Sequence, residues 1–310
     1  MEFRILKFST LLLVAVSIIT SCTKEVQIDL PGYTEQLVVD GRIETGLPAI
    51  VLLSKTSNVY STTNFESYLN SFVDDAVVLL SDGTNTDTLT KICTDDLPPG
   101  LEDVAAGIFG IPAAQLSSLH LCAYISLGMI GEVGKTYTLE IKHNGKTYTS
   151  SSKIAQPVAL DSLYWKPEGN FTDRGFSWAQ LSDPAATTDA YCWEVKYLTD
   201  ATFSKTFNPY FNDKFFNGLT FEFGYENPMS FQDTTSNSPY RGFYKIGDTI
   251  VVKLSKIGPK EYNYFEKKYN QMYSGGSPFA VPTNIPTNIS GGALGIWAAY
   301  SPWTDTLVCQ

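Results

Sequence analysis

Along most of the chain, apolar and polar residues alternate with a period of two or run apolar for four to eight residues between Gly, Pro and Asx punctuation. Both patterns predict strands rather than helices. "QLVVDGRIETGLPAIVLLSKTS" reads as two such segments, and "DAVVLLSDGTNTDTLTKI" sets Asp82-Gly83 between two more, a hairpin signal. In "KTYTLEIKHNGKTYTSSSKI", Tyr137, Leu139 and Ile141 alternate with polar residues opposite Tyr148, and Asn144-Gly145 suits a two-residue turn that needs positive φ. Pro157 opens "PVALDSLYWKPEG", a crossover, after which "DAYCWEVKYL", "GDTIVVKLSKI" and "GALGIWAAYSPWTDTLVC" continue the strand pattern. One segment has the other period. "PKEYNYFEKKYNQMYSGG" puts Tyr262, Phe265, Tyr269 and Met272 on one helical face, with Pro259 in the first turn and Gly275-Gly276 as the stop. Short strands with frequent turns predict a mainly β chain of two β-sandwich, immunoglobulin/fibronectin-like domains at 33–156 and 157–310, the second carrying one helix and long aromatic-rich loops.

The N-terminus does not share this pattern. Arg4 and Lys7 precede the apolar run Phe8 to Ile19, and the small residues Thr20 and Ser21 lead into Cys22. The run is shorter than the roughly 20 residues a membrane span needs and has the charged, apolar and small-residue order of a secretion signal. It resembles a bacterial lipoprotein signal, with Ile19-Thr20-Ser21-Cys22 in the place of the cleavage box. By that resemblance residues 1–21 are removed, Cys22 carries diacylglycerol, and 22–32 form a tether. Each buried methylene adds roughly 0.8 kcal/mol, so two or three chains hold a protein at a membrane. Thr23-Lys24-Glu25 partly resembles the Lys-then-acidic signal that sends such lipoproteins to the cell exterior.

Composition narrows the partners. The net charge is −10, and removing residues 1–21 takes away one acid and two bases, leaving −11. Nucleic acid, whose phosphates call for clustered Lys and Arg, is therefore not expected, and membrane contact is expected through the lipid alone. Of the five cysteines, Cys93, Cys122, Cys192 and Cys309 follow the anchor. An even number outside the cytoplasm suggests disulfides. Sequence order suggests Cys93 with Cys122, closing an insert of loop and short helix, and Cys192 with Cys309. Three connectivities are open, as is a set of free buried thiols. No CxxC occurs, so neither a metal nor a cofactor is expected.

Catalytic residues are poorly supplied. The two histidines are His120 and His143, the latter read as a solvated turn residue beside Asn144-Gly145. "SGGALG" lacks nucleotide-loop spacing and precedes a strand. Asp82, Asn85 and Asp87 in "DGTNTD" miss the calcium-loop pattern and read as a hairpin loop. Asp74-Asp75 and Asp95-Asp96 are the residues that glycoside hydrolysis would draw on. The chain is read as non-enzymatic.

From Phe203 to Tyr244 aromatic residues interleave with Asn, Asp, Gly and Pro without a sustained period. Long loops of this type carry function, and rings suit protein contacts and sugar faces. Some must fill the second core; Tyr210, Phe211, Phe215, Phe216 and Tyr225 are the candidates for an exposed contact set. Thr88, Ser162, Thr249 and Thr306, each after an Asp and before an apolar residue, resemble the acceptor pattern of Bacteroidota O-glycosylation, alternating strand residues being the other reading.

"DLPGYTEQLVVDGRIETGLPAIVLLSKTS", "DDAVVLLSDGTNTDTLT", "GEVGKTYTLEI", "LDSLYW" and "PFAVPTNIPTNISGGALGIWAAYS" together resemble the Bacteroidota lipoprotein family catalogued as domain of unknown function 4249. The likeness covers nearly all the chain beyond Cys22, and the Cys-bracketed insert departs from it. The family brings no catalytic residue. Its members often look like genomic neighbours of TonB-dependent outer-membrane transporters, which implies an outer-membrane binding or accessory subunit of such a nutrient transporter. The alternatives are a structural or adhesive surface module and, third, a glycan-active hydrolase.

Overall fold

The alternation read from "QLVVDGRIETGLPAIVLLSKTS" becomes an antiparallel pair, β1 (Leu37–Glu44) and β2 (Pro48–Lys55), whose residues alternate between a buried face and one that is partly exposed. The computed structural model describes residues 33–58, 64–231, 238–274 and 284–310. The expected signal, Cys22 and the expected helix stop at Gly275-Gly276 lie outside these residues. The hairpin signals form as read. Asn144 and Gly145 take φ of 51° and 72°, joining β7 (Thr136–His143) to β8 (Lys146–Lys153) in register. Asp82 turns the chain between β3 (Val77–Ser81) and β4 (Thr86–Thr88), its carboxylate accepting the Thr84 and Asn85 N–H groups at 2.9 and 2.7 Å. Those two bonds, with Lys135, hold its pKa down at about 2.

The remaining strands are β5 (Thr90–Cys93), β6 (Cys122–Ile130), β9 (Ser162–Pro167), β10 (Arg174–Ser182), β11 (Ala190–Tyr197), β12 (Ser204–Asn212), β13 (Thr220–Tyr225), β14 (Tyr244–Lys245), β15 (Thr249–Ile257) and β16 (Leu294–Val308). Four helices join them: α1 (Phe65–Leu69), α2 (Glu102–Phe109), α3 (Ala113–Leu116) and α4 (Pro259–Ser274). One eight-stranded sheet runs β12-β11-β15-β16-β1-β2-β6-β5. Two four-stranded sheets accompany it, β4-β3-β7-β8 and a second in which β10 pairs with β9, β13 and β14. The fold is mainly β and sandwich-like, as expected.

The sandwiches are not separate domains. β16, near the C-terminus, pairs in parallel with β1 from Val38↔Leu294 to Glu44↔Tyr300, so the long sheet crosses the boundary drawn at 156/157, and residues Glu35–Gln310 form one compact unit. On one face of this sheet lie two cores. Val39, Ile43, Val51 and Leu53 meet Val78, Leu80, Leu139 and Ile141 of the first small sheet. Tyr191, Trp193, Val252 and Leu254 meet Ala179, Leu181 and Tyr244 of the second. Trp297 on β16 closes the first core; its indole N–H donates to Tyr137 O at 3.0 Å, and its ring covers Gly41, where a Cβ would lie 2.8 Å from Cε3.

Helices cover the opposite face. α4 lays Tyr262, Phe265 and Tyr269 on Cys192, Tyr210, Ile296 and Tyr300, as its period predicts. Met272 departs from the expectation: it is 67% exposed, while Tyr264 is buried instead. The insert between Cys93 and Cys122 folds α2 and α3 over β2 and β6, burying Ala105, Phe109 and Leu116 against Ile50, Leu52 and Ala123. Among the described residues no helix is long and apolar enough to cross a membrane.

Candidate functional site: the aromatic edge of the second sandwich

The Phe203–Tyr244 segment, expected to be mostly loop, supplies β12, β13 and β14. Asn and Pro had masked its strands: Asn208 takes φ 53° next to Pro209, and the register with β11 shifts between Cys192 and Glu194, a bulge that breaks the two-residue period. Beyond it, Tyr210 and Phe211 point to opposite faces. Tyr210 is buried against α4, its ring stacked on Phe265 at 4.6 Å. Phe211 is half-buried between Tyr191 and Phe223, at 5.3 and 5.2 Å. Phe216 is buried, and Tyr225 is half-buried on Trp193 at 5.2 Å. Four of the five proposed contact residues are thus core or half-core: Tyr210 and Phe211 because β12 lies in a sheet covered on both faces, Phe216 and Tyr225 because they turn into the core between the two sheets. Phe215 alone stands out, 88% exposed.

The buried rings nevertheless lead to the surface. Trp193, Phe223, Phe211, Phe216 and Phe221 lie in successive contact at 4.8–6.3 Å, and Phe221 is 41% exposed. On the connection before it are Phe215 and Leu219, the latter 60% exposed. Leu219 and Phe221 were missed in the sequence, although two apolar residues on either side of Thr220, directly after Asn217-Gly218, were the available signal.

This connection is held rigidly. The Asp213 carboxylate accepts the Asp189 N–H at 2.6 Å, and the Asp213 N–H donates to Asp189 O at 3.0 Å. Asp183 accepts the Gly218 N–H at 3.3 Å and donates its own N–H to Leu219 O at 3.1 Å. Gly218 has φ 71°, and a Cβ there would lie 2.7 Å from Ala185 Cβ, so glycine is required on both counts. The three aspartates are buried, with one oxygen from each within 4.8 Å of the others. Lys256 Nζ lies 2.7 Å from Asp189, and Tyr191 donates to Asp183 at 2.6 Å. Burial, and then that carboxylate, pushes the Tyr191 phenol well up. The cluster has the donor chemistry of an oxygen-rich cation site, yet its hydrogen bonds and Lys256 also account for it as structural.

Across the sheet Glu194 is buried between Lys205 and Lys253, each at 2.9 Å, and Lys253 reaches Glu44 at 3.4 Å. Burial raises the Glu194 carboxyl, but the two ammonium charges overcome it and hold it at about 2. A cleft of ≈ 760 Å³ opens between Asp103, Ala106, Gly107 and Gly110 on the α2 side and Thr199, Asp200, Ala201, Thr202 and Ser204 between β11 and β12.

The cysteines divide. Cys93 and Cys122 are register partners in β5 and β6 and form a disulfide. Cys192 and Cys309 are free and buried, which corrects the second expected pair. Cys192 faces the α4 core and Cys309 the second sandwich core, on opposite sides of the sheet. Burial pushes the Cys309 thiol up to about 12. His143 is not solvated as expected but buried, Nε2 3.1 Å from Asp75. His120 is the exposed one, between Asp95 at 2.9 Å and Asp74 at 3.6 Å. Of the Asp-Ser/Thr positions, Thr88 and Thr306 are exposed and Ser162 and Thr249 half-exposed, all within strands.

The chain matches, over residues 23–306, the family described as Domain of unknown function (DUF4249). It belongs to that family. No curated protein matches this DUF4249 chain, so the residues of the aromatic edge take their roles from geometry alone.

Proposed function

We propose that this DUF4249 protein is a Bacteroidota lipoprotein, anchored to the outer membrane through Cys22 and facing the cell exterior. Its role is that of a non-enzymatic binding or accessory subunit of a TonB-dependent nutrient transporter. The observation that carries the reading is the aromatic edge: Phe215 and Leu219, on a connection pinned by buried aspartates, and Phe221, at the start of β13, are exposed and backed by a stack of rings. Exposed apolar groups on a rigid mount suit a protein partner, because little conformational freedom is lost on binding. Residues of this kind anchor interfaces, and the best cost about 2 kcal/mol or more when truncated.

The test combines Phe215→Ser and Phe221→Ser in the full chain. Recovery of a transporter barrel from native membrane is expected to fall about thirtyfold or more. Because Phe215 is almost fully exposed, that substitution alone should leave unfolding within about 0.5 kcal/mol of wild type. Unchanged recovery rejects the contact surface. The anchor is tested separately: Cys22→Ser should abolish palmitate labelling while the fold is kept, and label retained by the Ser variant would refute it.

A further inference from the structure

Strand edges invite other strands, and this molecule protects its edges unevenly. β12 carries Pro209 and a bulge and is packed by α4. β5 has four residues and is disulfide-bonded to β6, and β4 and β14 have three and two. β8 begins and ends with lysine and is bridged by Ser290 at Thr149. β9 contains Lys166 and Pro167 and lies against β16. β13 has none of these devices. "TFEFGY" is six residues without proline or lysine, pairs with β10 in unbroken register, and has no second strand beside it among the described residues. Its one charge, Glu222, is engaged by Lys166 at 2.8 Å and by Tyr164.

The direction of its free groups follows from the ladder. β10 residues of even number serve β9: Asp161 N–H donates to Gln180 O at 2.8 Å, and Glu168 N–H to Arg174 O at 3.1 Å. Odd residues serve the β13 side, where Asp183 N–H donates to Leu219 O. In the alternation of an antiparallel pair, Ser177↔Tyr225, Ala179↔Phe223 and Leu181↔Phe221 are then the bonded pairs. Thr220, Glu222 and Gly224 turn their N–H and C=O groups outward. Beside this edge, on the core side, lie the exposed faces of Phe221, Phe215 and Leu219.

We propose that β13 is a strand-addition site, at which an extended segment of a different polypeptide, apolar at alternate positions, adds to the second small sheet. The ladder of outward backbone groups is matched in full only by another backbone. The apolar side chains of the added strand would extend the row of Phe221, Phe223 and Tyr225 and cover Phe221, completing the sandwich where it is open. A second copy of this chain is a poorer occupant. Two-fold antiparallel pairing of β13 brings both copies of Glu222 together on one face, in a chain of net charge −10. The proposal rests on the aromatic edge being the partner surface and adds how the partner binds there.

The experiment measures backbone hydrogen exchange of the full-length protein in its native outer membrane and after purification in detergent. The amides of Thr220, Glu222 and Gly224 should exchange at least about tenfold more slowly in the membrane, whereas those of Phe221, Phe223 and Tyr225, bonded to β10 in both states, should change little. Glu222→Pro removes an outward donor without costing a β10 bond and should abolish the protection. Glu222→Ala, which loses the side-chain bonds to Lys166 and Tyr164 but keeps the backbone N–H, should keep it. Thr220→Pro, at the strand's first residue, provides the same test should Glu222→Pro melt early. Equal exchange in the two preparations overturns strand addition, as does protection that grows with concentration of the purified protein alongside a dimer in sedimentation. If Phe215→Ser and Phe221→Ser weaken barrel recovery while the proline variants do not, the contact surface stands and strand addition fails; if neither does, both fail.

Discussion

Two small sheets pack on one face of the same long sheet, and they are built on different plans. The first consists of two hairpins, β3-β4 and β7-β8, and its core alternates aliphatic residues such as Val78, Leu80, Leu139 and Ile141. Its largest ring, Trp297, is fully hydrogen-bonded. The second adds two single strands, β13 and β14, to one hairpin, β9-β10, and fills the spaces between them with rings. Strands that are not joined to a neighbour by a hairpin turn fit less regularly. Large planar side chains fill such gaps, and the cost is an edge where the filling reaches the surface. The difference separates a region that only needs to fold from one that also has something to display.

The comparison can be broken most severely at its two buried tryptophans. Trp297→Ala and Trp193→Ala should each cost about 3–5 kcal/mol in chemical denaturation. Replacement by Phe should then separate them. Trp297→Phe removes the buried indole hydrogen bond to the Tyr137 carbonyl, which the β7–β8 ladder also engages, and loses about 0.5–1.5 kcal/mol beyond the change in volume, whereas the Trp193 indole nitrogen has no acceptor among the described residues and that substitution should lack this cost. Equal losses for the two Phe variants would show that the hydrogen bond does not distinguish the cores.

The next effect belongs to the disulfide. It spans a separation of 29 residues in the first half of the chain, so replacing Cys93 and Cys122 together with Ser should cost about 3–4 kcal/mol in the chain-entropy view. Cys192 and Cys309 should appear as two thiols in non-reducing mass spectrometry, alkylated only after unfolding. A second disulfide would contradict the opposite-face placement.

The smallest effect is on pH. His120 sits between Asp95 and Asp74, which raise its pKa above the usual 6.5, Asp95 contributing most. A raised folded value means that this contribution to stability is fully present below about 6.5 and is lost as pH rises through the folded pKa. The aspartates have lowered values, Asp95 chiefly through His120 and Asp74 chiefly through Lys91, so their share is lost as pH falls through those. The sites are solvent-exposed, and the melting temperature should shift only slightly. His120→Gln should flatten the upper limb of the profile; an unchanged limb would show that the ion pairs do not hold the insert.

Much of this was legible residue by residue. Alternation located the strands of the first half, because a hairpin is a local object whose turn chemistry, Asn144-Gly145 or Asp82-Gly83, sits beside the residues it pairs. The helical face of Tyr262, Phe265 and Tyr269 was visible for the same reason. Cys93 and Cys122 bracket a continuous insert, so sequence order pointed to their bond. Pairing Cys192 with Cys309 failed because order says nothing about which side of a sheet a residue faces. The aromatic segment was recognised as unusual, but its bulge at β12 concealed strands, and four of its five chosen rings turned inward.

What the chain determines by itself is therefore local: strand and turn periods, one amphipathic helix, an acidic net charge, and a family membership spanning residues 23–306. What the tertiary structure decided is non-local. The parallel pairing of β1 with β16 merges two expected domains into one sheet, since backbone hydrogen bonds between residues some 250 positions apart have no sequence signature of their own. The same holds for exposure at the aromatic edge. Phe215 and Phe216 are adjacent and chemically identical, and only the course of the connection pinned by Asp183 and Asp213 turns one to solvent and the other into the core.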